Sequence, residues 1–202
     1  MNTKQKAILI GMILGDAYLQ KTGEKNARIR LEQSQKQREY LEWKACQFPE
    51  FFQGKPTEVI RYNPIFQKTY HYVRWQSYAS PEIGKFRLLF YQQGRKCIPK
   101  ELPNLLKDPI SIAVWYMDDG YLYQRDKMAF IYLPRFTPEE VTIVLSALQH
   151  NFGLFPTVKT KKKGNISLAF SVSETNKLLS LIARYIIPSM QYKLLDPVST
   201  EA

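Results

Sequence analysis

Two short, wholly apolar segments that each end in an acid lie half a chain apart in this protein of 202 residues. Leu9 to Ala17 reads LIGMILGDA, and Ile112 to Gly120 reads IAVWYMDDG; Asp119 follows Asp16 by 103 positions. A helix without a polar stripe has to be enclosed on every side. Each segment is therefore expected inside an interface rather than on a surface. Gly11 and Gly15 are four residues apart, on one helix face, where the missing side chains let another backbone approach closely. Ala113 takes a comparable place in the second segment, although Val114 and Trp115 make that helix bulkier. The expectation is two related halves, 1–106 and 107–202, whose motif helices pack as a pseudo-twofold pair and bring Asp16 and Asp119 to the same end.

The remaining pattern repeats in step with those helices. In the first half, Ala27 to Ser34 alternates as a strand, a helix is expected from Arg38 to Phe52, strands from Thr57 to Tyr62 and Thr69 to Ser77, and a helix from Pro81 to about Gln93. In the second, a strand near Met128 to Leu133 precedes a helix that Thr137 and Glu140 open as a capping box and Gly153 ends. A hairpin follows, Thr157 to Lys162 and Ile166 to Ser171, with Gly164 and Asn165 in its turn, and then a helix from Glu174 to Ile187. Three prolines between Ile98 and Pro109 mark the linker, where regular structure is disfavoured. The class is mixed α/β of the α+β kind.

An acid at a helix C-terminus sits where the backbone is already partly negative, a cost of several tenths of a kcal/mol. Two such acids side by side repel each other, and a divalent cation removes the conflict. Carboxylate and carbonyl oxygens suit Mg²⁺, and metal ions so held stabilise the attacking and leaving oxygens of phosphodiester hydrolysis. Either motif alone reads as an ordinary helix stop; the pairing is what points to chemistry. Cys46 and Cys97 stand alone, in neither a metal-binding nor a disulfide spacing.

Both segments resemble the signature motif of the LAGLIDADG homing endonucleases. The GDAY and MDDG forms, with IPSMQYKL near the end, are similar to the double-motif monomers that include a yeast mitochondrial intron-encoded enzyme. The resemblance extends over nearly the whole chain. It implies a duplicated αββαββα fold with the motif helices at a central interface and two sheets forming a DNA-binding saddle. It implies that Asp16 and Asp119 are the catalytic, metal-binding acids, with the backbone carbonyls of Gly15 and Asp118 as further metal ligands. It also implies that Lys96, in Lys96-Cys97-Ile98-Pro99, and Lys193, in Tyr192-Lys193-Leu194, assist at the cleavage site. The implied product is a staggered double-strand break in a long asymmetric target, as in intron homing, with Mg²⁺ as cofactor, Mn²⁺ as a substitute, and Ca²⁺ binding without efficient cleavage. Gly15 and Ala17 stand where the second motif has Asp118 and Gly120, a departure that leaves both acids in place.

Twenty-nine Lys and Arg against 18 Asp and Glu give a net charge of +11, which favours a polyanionic partner. Double-stranded DNA fits; a membrane does not, because the apolar run Ala7 to Leu14 is far shorter than the roughly 20 residues that span a bilayer. Residues 1–107 carry 19 basic and 9 acidic side chains and the rest 10 and 9, or +10 against +1, so the first half is expected to make more phosphate contacts. Arg28, Arg30 and Glu32 alternate along one strand face, as do Tyr72, Arg74 and Gln76, and these side chains read base edges in a major groove. Gln33, Arg61, Lys159, Lys161 and Lys163 are further candidates; the run 159–163 fits nonspecific phosphate contact equally well. The alternative function is an RNA-binding intron maturase, or another non-cleaving nucleic-acid binder on the same scaffold. No secretion signal is read, so the expected setting is a prokaryotic cytoplasm or an organellar matrix or stroma, with the chain as a monomer.

Overall fold

The computed structural model describes residues 1–160 and 166–195. The chain divides into two compact units, one ending at Lys96 and the other starting at Cys97. That division falls ten residues before the expected 106/107 boundary, and hydrogen bonds explain it. The Ile98 N–H donates to Glu140 Oε1 at 3.1 Å, and Asn151 Nδ2 donates to the carbonyls of Pro103 and Leu106, both at 2.7 Å. The proline-rich stretch is thus fastened to the second unit, and it contains a single helical turn, Leu102–Leu105 (α4 below).

In the first unit α1 (Thr3–Leu14) leads into β1 (Tyr18–Lys21) and β2 (Ala27–Ser34), then α2 (Arg38–Cys46), β3 (Thr57–Asn63), β4 (Lys68–Gln76), α3 (Pro81–Phe90) and a two-residue ribbon, β5 (Tyr91–Gln92) and β6 (Arg95–Lys96). After α4, the second unit has α5 (Pro109–Asp119), β7 (Gly120–Tyr123), β8 (Met128–Leu133), α6 (Pro138–Phe152), β9 (Thr157–Thr160), β10 (Ile166–Ala169) and α7 (Val172–Ile182). The two sheets have the same antiparallel order, β1-β2-β4-β3 and β7-β8-β10-β9. From the motif helix onward each unit therefore runs αββαββα, the mixed helix and antiparallel-sheet architecture that the resemblance implied. Among the described residues no helix is long and apolar enough to cross a membrane.

Local chemistry accounts for the helix ends. Asn2 and Gln5 close a capping box on α1, and Thr137 and Glu140 close the expected one on α6, which ends at Gly153 with a φ of 62°. Ser80 and Asp108 cap α3 and α5, each followed by Pro in the first turn. The helix expected to reach Phe52 stops at Cys46 because the residue before a proline avoids helical angles, and Phe48 precedes Pro49. Phe48 and Phe52 are instead buried from the turn that follows. Strands β1 and β7 are only four residues long, β7 alternating in burial and β1 not, and both are held by pairing, Tyr18 with Arg30 and Tyr121 with Phe130.

The core lies under one face of each sheet. Ala27, Ile29 and Leu31 of β2, and Ala129, Ile131 and Leu133 of β8, turn inward. The apolar segments of the motif helices are enclosed, as their composition required: every residue from Ala7 to Leu14 and from Ile110 to Met117 is buried. Helix α3 approaches the β1–β2 turn so closely that a methyl group built on Gly84 would overlap the Lys25 carbonyl oxygen.

Gly84→Ala separates two effects of opposite sign. Helix propensity favours the alanine by about 1 kcal/mol, whereas overpacking against a backbone atom costs up to about 3 kcal/mol. A net loss of about 2 kcal/mol is expected in denaturant unfolding of the variant; a gain in stability would show that α3 does not sit against that turn.

Candidate functional site

Each unit brings its acid and its lysine together. Helix α1 ends at Leu14, the Gly15 N–H bonds back to the Gly11 carbonyl, and Ala17 bonds back to Met12, which turns the chain sharply and leaves Asp16 exposed. Lys96 Nζ donates to the Gly15 carbonyl at 2.7 Å. The β5–β6 ribbon delivers it, turning through Gln93 and Gly94 at φ of 51° and 81°. Tyr91 anchors the ribbon by accepting the Leu19 N–H on its hydroxyl at 3.0 Å.

The second unit reaches the same arrangement by another route. Helix α5 ends at Asp119, and Gly120 starts β7 at once; a side chain there would collide with Tyr116. Lys193 comes from a 3₁₀ turn over Pro188–Lys193. Its ammonium donates to the Met117 carbonyl at 2.5 Å, with the Tyr116 and Asp118 carbonyls at 3.4 Å. The Tyr116 hydroxyl donates to the Lys193 carbonyl at 2.9 Å, and burial pushes that phenol above its ordinary range. Lysine ammoniums on the last carbonyls of a helix offset the negative end of its dipole.

The donors fit a hard cation. A carboxylate beside a backbone carbonyl in each unit, Asp16 with Gly15 and Asp119 with Asp118, is an all-oxygen set. The described residues hold no cluster of three His, Cys, Asp or Glu. Mg²⁺ commonly binds through one or two carboxylates and completes its octahedron with water and substrate phosphate. A sparse oxygen set is therefore what it requires.

The first sheet presents the expected polar face. Register places Arg30 opposite Gln76, Glu32 opposite Arg74 and Ser34 opposite Tyr72, and Arg28 Nε donates to Gln20 Oε1 at 3.0 Å. Glu32 lies among three arginines: Arg61 Nη1 at 2.6 Å from Oε1, Arg74 Nη2 at 2.6 Å and Arg30 Nη2 at 3.4 Å from Oε2. Partial burial alone would raise the Glu32 carboxyl, but hydrogen bonds from Arg61 and Arg74 outweigh it and hold it at about 2. A shallow depression lined by Asp16, Tyr18, Arg30 and Glu32 joins this strip to the acid.

Gln33 departs from the expectation. Strand alternation turns it to the core face with Ile29 and Leu31; it is 4% exposed and donates to Asp16 Oδ2 at 3.3 Å. It belongs with the acid, not with the base-reading strip. Lys159 lies exposed on β9 opposite Ser167, whereas Lys161 and Lys163 lie outside the described residues. Trp75 also faces away from the strip, donating to the Gln53 carbonyl and packing edge-on against Phe52.

The corresponding face of the second sheet carries side chains that residue-type reasoning passed over. Tyr121, Tyr123 and Phe130 interlock edge to face, with ring centroids 4.8 and 5.6 Å apart, and the two tyrosines are 48% and 43% exposed. One signal did mark them. A tyrosine follows each acid by two residues, Tyr18 after Asp16 and Tyr121 after Asp119.

Comparison with known proteins supplies the context. A model described as the LAGLIDADG DNA endonuclease family matches residues 6–178. The chain is 30% identical over 197 residues to a probable intron-encoded endonuclease 1 of Wickerhamomyces canadensis, covering 95% of this chain and 84% of that protein. It is 27% identical over 210 residues to a RecA protein of Mycobacterium shimoidei; 96% of this chain is covered but 47% of that protein, so the chain spans about half its length. Among solved structures, the homing endonuclease I-WcaI bound to its DNA recognition sequence is similar, with a TM-score of 0.89, 28% identity, and coverage of 98% of this chain and 88% of that one.

The Glu32 network makes the stability of the chain depend on pH with a definite sign. A carboxyl held near 2 when folded and near 4.5 when free stabilises the fold fully above 4.5, and that contribution is lost as pH falls through about 2. The gap in Tm between wild type and Glu32→Gln should be constant from pH 8 to pH 6, shrink below 4.5 and close near 2; a gap unchanged at pH 2 would contradict the network.

Proposed function

Because the chain belongs to the LAGLIDADG DNA endonuclease family, we propose that it is a site-specific, Mg²⁺-dependent homing endonuclease that makes a staggered double-strand break in a long asymmetric DNA target. The observation that carries this reading is the repeated contact between a distant lysine and the end of a motif helix, Lys96 on Gly15 and Lys193 on Met117. A protein that only bound nucleic acid would gain nothing from acids facing a phosphate backbone. Keeping both acid and lysine pairs favours cleavage over the RNA-binding alternative.

In this reading Asp16 and Asp119 would each offer carboxylate oxygens to a cation, with the Gly15 and Asp118 carbonyls as further oxygen donors. When bound, such ions supply a Lewis acid and a water of lowered pKa. Lys96 and Lys193 keep a fixed positive charge close to the scissile phosphates, where negative charge grows in the transition state. Their helix-end carbonyls hold the ammoniums in place, so little reorganisation is needed as the reaction proceeds. Gln33 orients Asp16 through its hydrogen bond to Oδ2. One chain carrying two unlike sheets suits a target without symmetry, read by a monomer.

The test is cleavage of a randomised duplex library with Mg²⁺, Mn²⁺, Ca²⁺ or EDTA, followed by kinetics on the recovered target. Cutting is expected with Mg²⁺ and Mn²⁺ and not with EDTA, and only inefficiently with Ca²⁺. Asp16→Asn and Asp119→Asn should each lower cleavage by more than the ~10–100-fold that loss of an outer metal-site partner costs. Lys96→Met and Lys193→Met should lower the cleavage rate about 100- to 1,000-fold while binding of the target is retained. Metal-independent cutting, or full activity in either Asn variant, would remove the proposal.

A further inference from the structure

Glu32 was expected to read bases directly, yet both of its oxygens already face guanidiniums. Arg74 comes from the adjacent strand β4, opposite Glu32 in register, and uses both Nε and Nη2 on one oxygen. Arg61 comes from β3, two strands away, and crosses β4 with its guanidinium 4.9 Å above the Tyr72 ring. In register Arg61 pairs with Tyr70, four residues along β4 from the Arg74 that pairs with Glu32, so its side chain has to run diagonally over Tyr72 to reach the carboxylate. The side chain is therefore committed to one path.

Resting on the endonuclease reading above, we infer that Glu32 is a positioning residue that determines specificity in one half of the target: it clamps Arg74 and Arg61 in a single orientation and withholds them from indiscriminate phosphate binding. A guanidinium has five N–H donors, and Glu32 occupies two of those on Arg74 and one on Arg61. Each retains the pair of donors that bidentate reading of a guanine needs. Immobilising a free arginine on binding costs about two- to tenfold in affinity, so a carboxylate that holds two of them in advance sharpens recognition. Its negative charge acts in the same direction. Without it, three arginines on one face would bind any phosphate.

Among the described residues, no strand of the second sheet carries a carboxylate or an arginine, and this localises the effect. Tyr18 pairs with Arg30 and Tyr121 pairs with Phe130, each tyrosine two residues after its acid, so Glu32 corresponds to Tyr132. The face there carries Tyr121, Tyr123, Phe130 and Tyr132, with Lys159 across Ser167 from Tyr132, and its described strand residues include no arginine to clamp.

The experiment measures binding in EDTA, over a range of salt, to the recovered target, to each of its single base-pair variants and to an unrelated duplex. Glu32→Gln is expected to bind the unrelated duplex several-fold more tightly, with a salt slope steeper by about one phosphate. Discrimination should fall about tenfold at base pairs confined to one half of the target. Glu32→Asp, which keeps the charge but shortens its reach, should leave the salt slope as in wild type and lose part of the discrimination. It also carries the test should the Gln variant fail to fold, which melting would reveal. Unchanged discrimination in both variants overturns the inference. So does loss at a single C·G pair with an unaltered salt slope, the mark of a direct base contact by Glu32, and so does an equal loss in both halves, the mark of a merely structural role. A wild type that prefers no sequence overturns the endonuclease reading and this inference with it; a selective wild type and an equally selective Gln variant overturn the inference alone.

Discussion

A helix C-terminus concentrates partial negative charge, and this chain places an acid at the end of two buried helices, Asp16 exposed and Asp119 half-buried. The ammonium on the helix-end carbonyls resolves that conflict in each unit, and much of the local architecture serves to deliver it. In the first unit a four-residue turn with two positive-φ positions brings Lys96 back to Gly15. In the second, Pro188 opens a 3₁₀ turn and the Tyr116 hydroxyl fixes the Lys193 backbone, so helix α5 holds the residue that caps it. A lysine suits the task because its long apolar stem lies along the core while its charge reaches the helix end. Lys193 is 8% exposed.

The units share an order of elements and differ in what their sheets present. The first face is built from arginines around a carboxylate, the second from tyrosine and phenylalanine edges. Counted by compact unit, residues 1–96 hold 17 basic and 8 acidic side chains, and the remainder 12 and 10, so +9 faces +2. In the proposed function these surfaces do unlike work. Guanidiniums read acceptors on guanine, whereas aromatic edges favour apolar contact such as the thymine methyl. The two sheets share their strand order and turn the same series inward, Ala27, Ile29 and Leu31 in one and Ala129, Ile131 and Leu133 in the other, so the chemical difference lies at the outward strand positions.

Much of this was legible where one residue type has one physical use. The limits of β2 follow from alternation, and the start of α6 from Thr137 and Glu140. The enclosed motif helices follow from their lack of any polar stripe. The pairing of lysine with acid was not legible from chemistry, since nothing local about Lys96 or Lys193 says where the chain folds back; the family resemblance carried it. Gln33 illustrates a different limit. Its type suggested base reading, but the alternation that turns Ile29 and Leu31 inward turns it inward as well, where the neighbouring acid accepts a hydrogen bond from its amide. Strands β1 and β7 escaped because four residues are too short a stretch to establish a period, and α4 because, beyond its own turn bonds, its carbonyls are held by Asn151, 45 residues beyond Leu106.

A chain this basic also has to keep its own acids from weakening its pull on a polyanion. Several are engaged inside the fold instead. Glu140 accepts the Thr137 N–H and the Ile98 N–H, and so completes a helix cap and fastens the incoming segment with one carboxylate. Glu174 accepts the Phe155 N–H and pairs with Lys177; the lysine first, and then that N–H, keep its carboxyl below the ordinary range despite desolvation. Glu82 receives the N-terminal amine. A carboxylate satisfied by backbone donors or by an adjacent cation projects little field beyond its partners. These three carboxylates therefore contribute to folding more than to the field outside, and the excess of basic over acidic side chains sets what an approaching polyanion would meet.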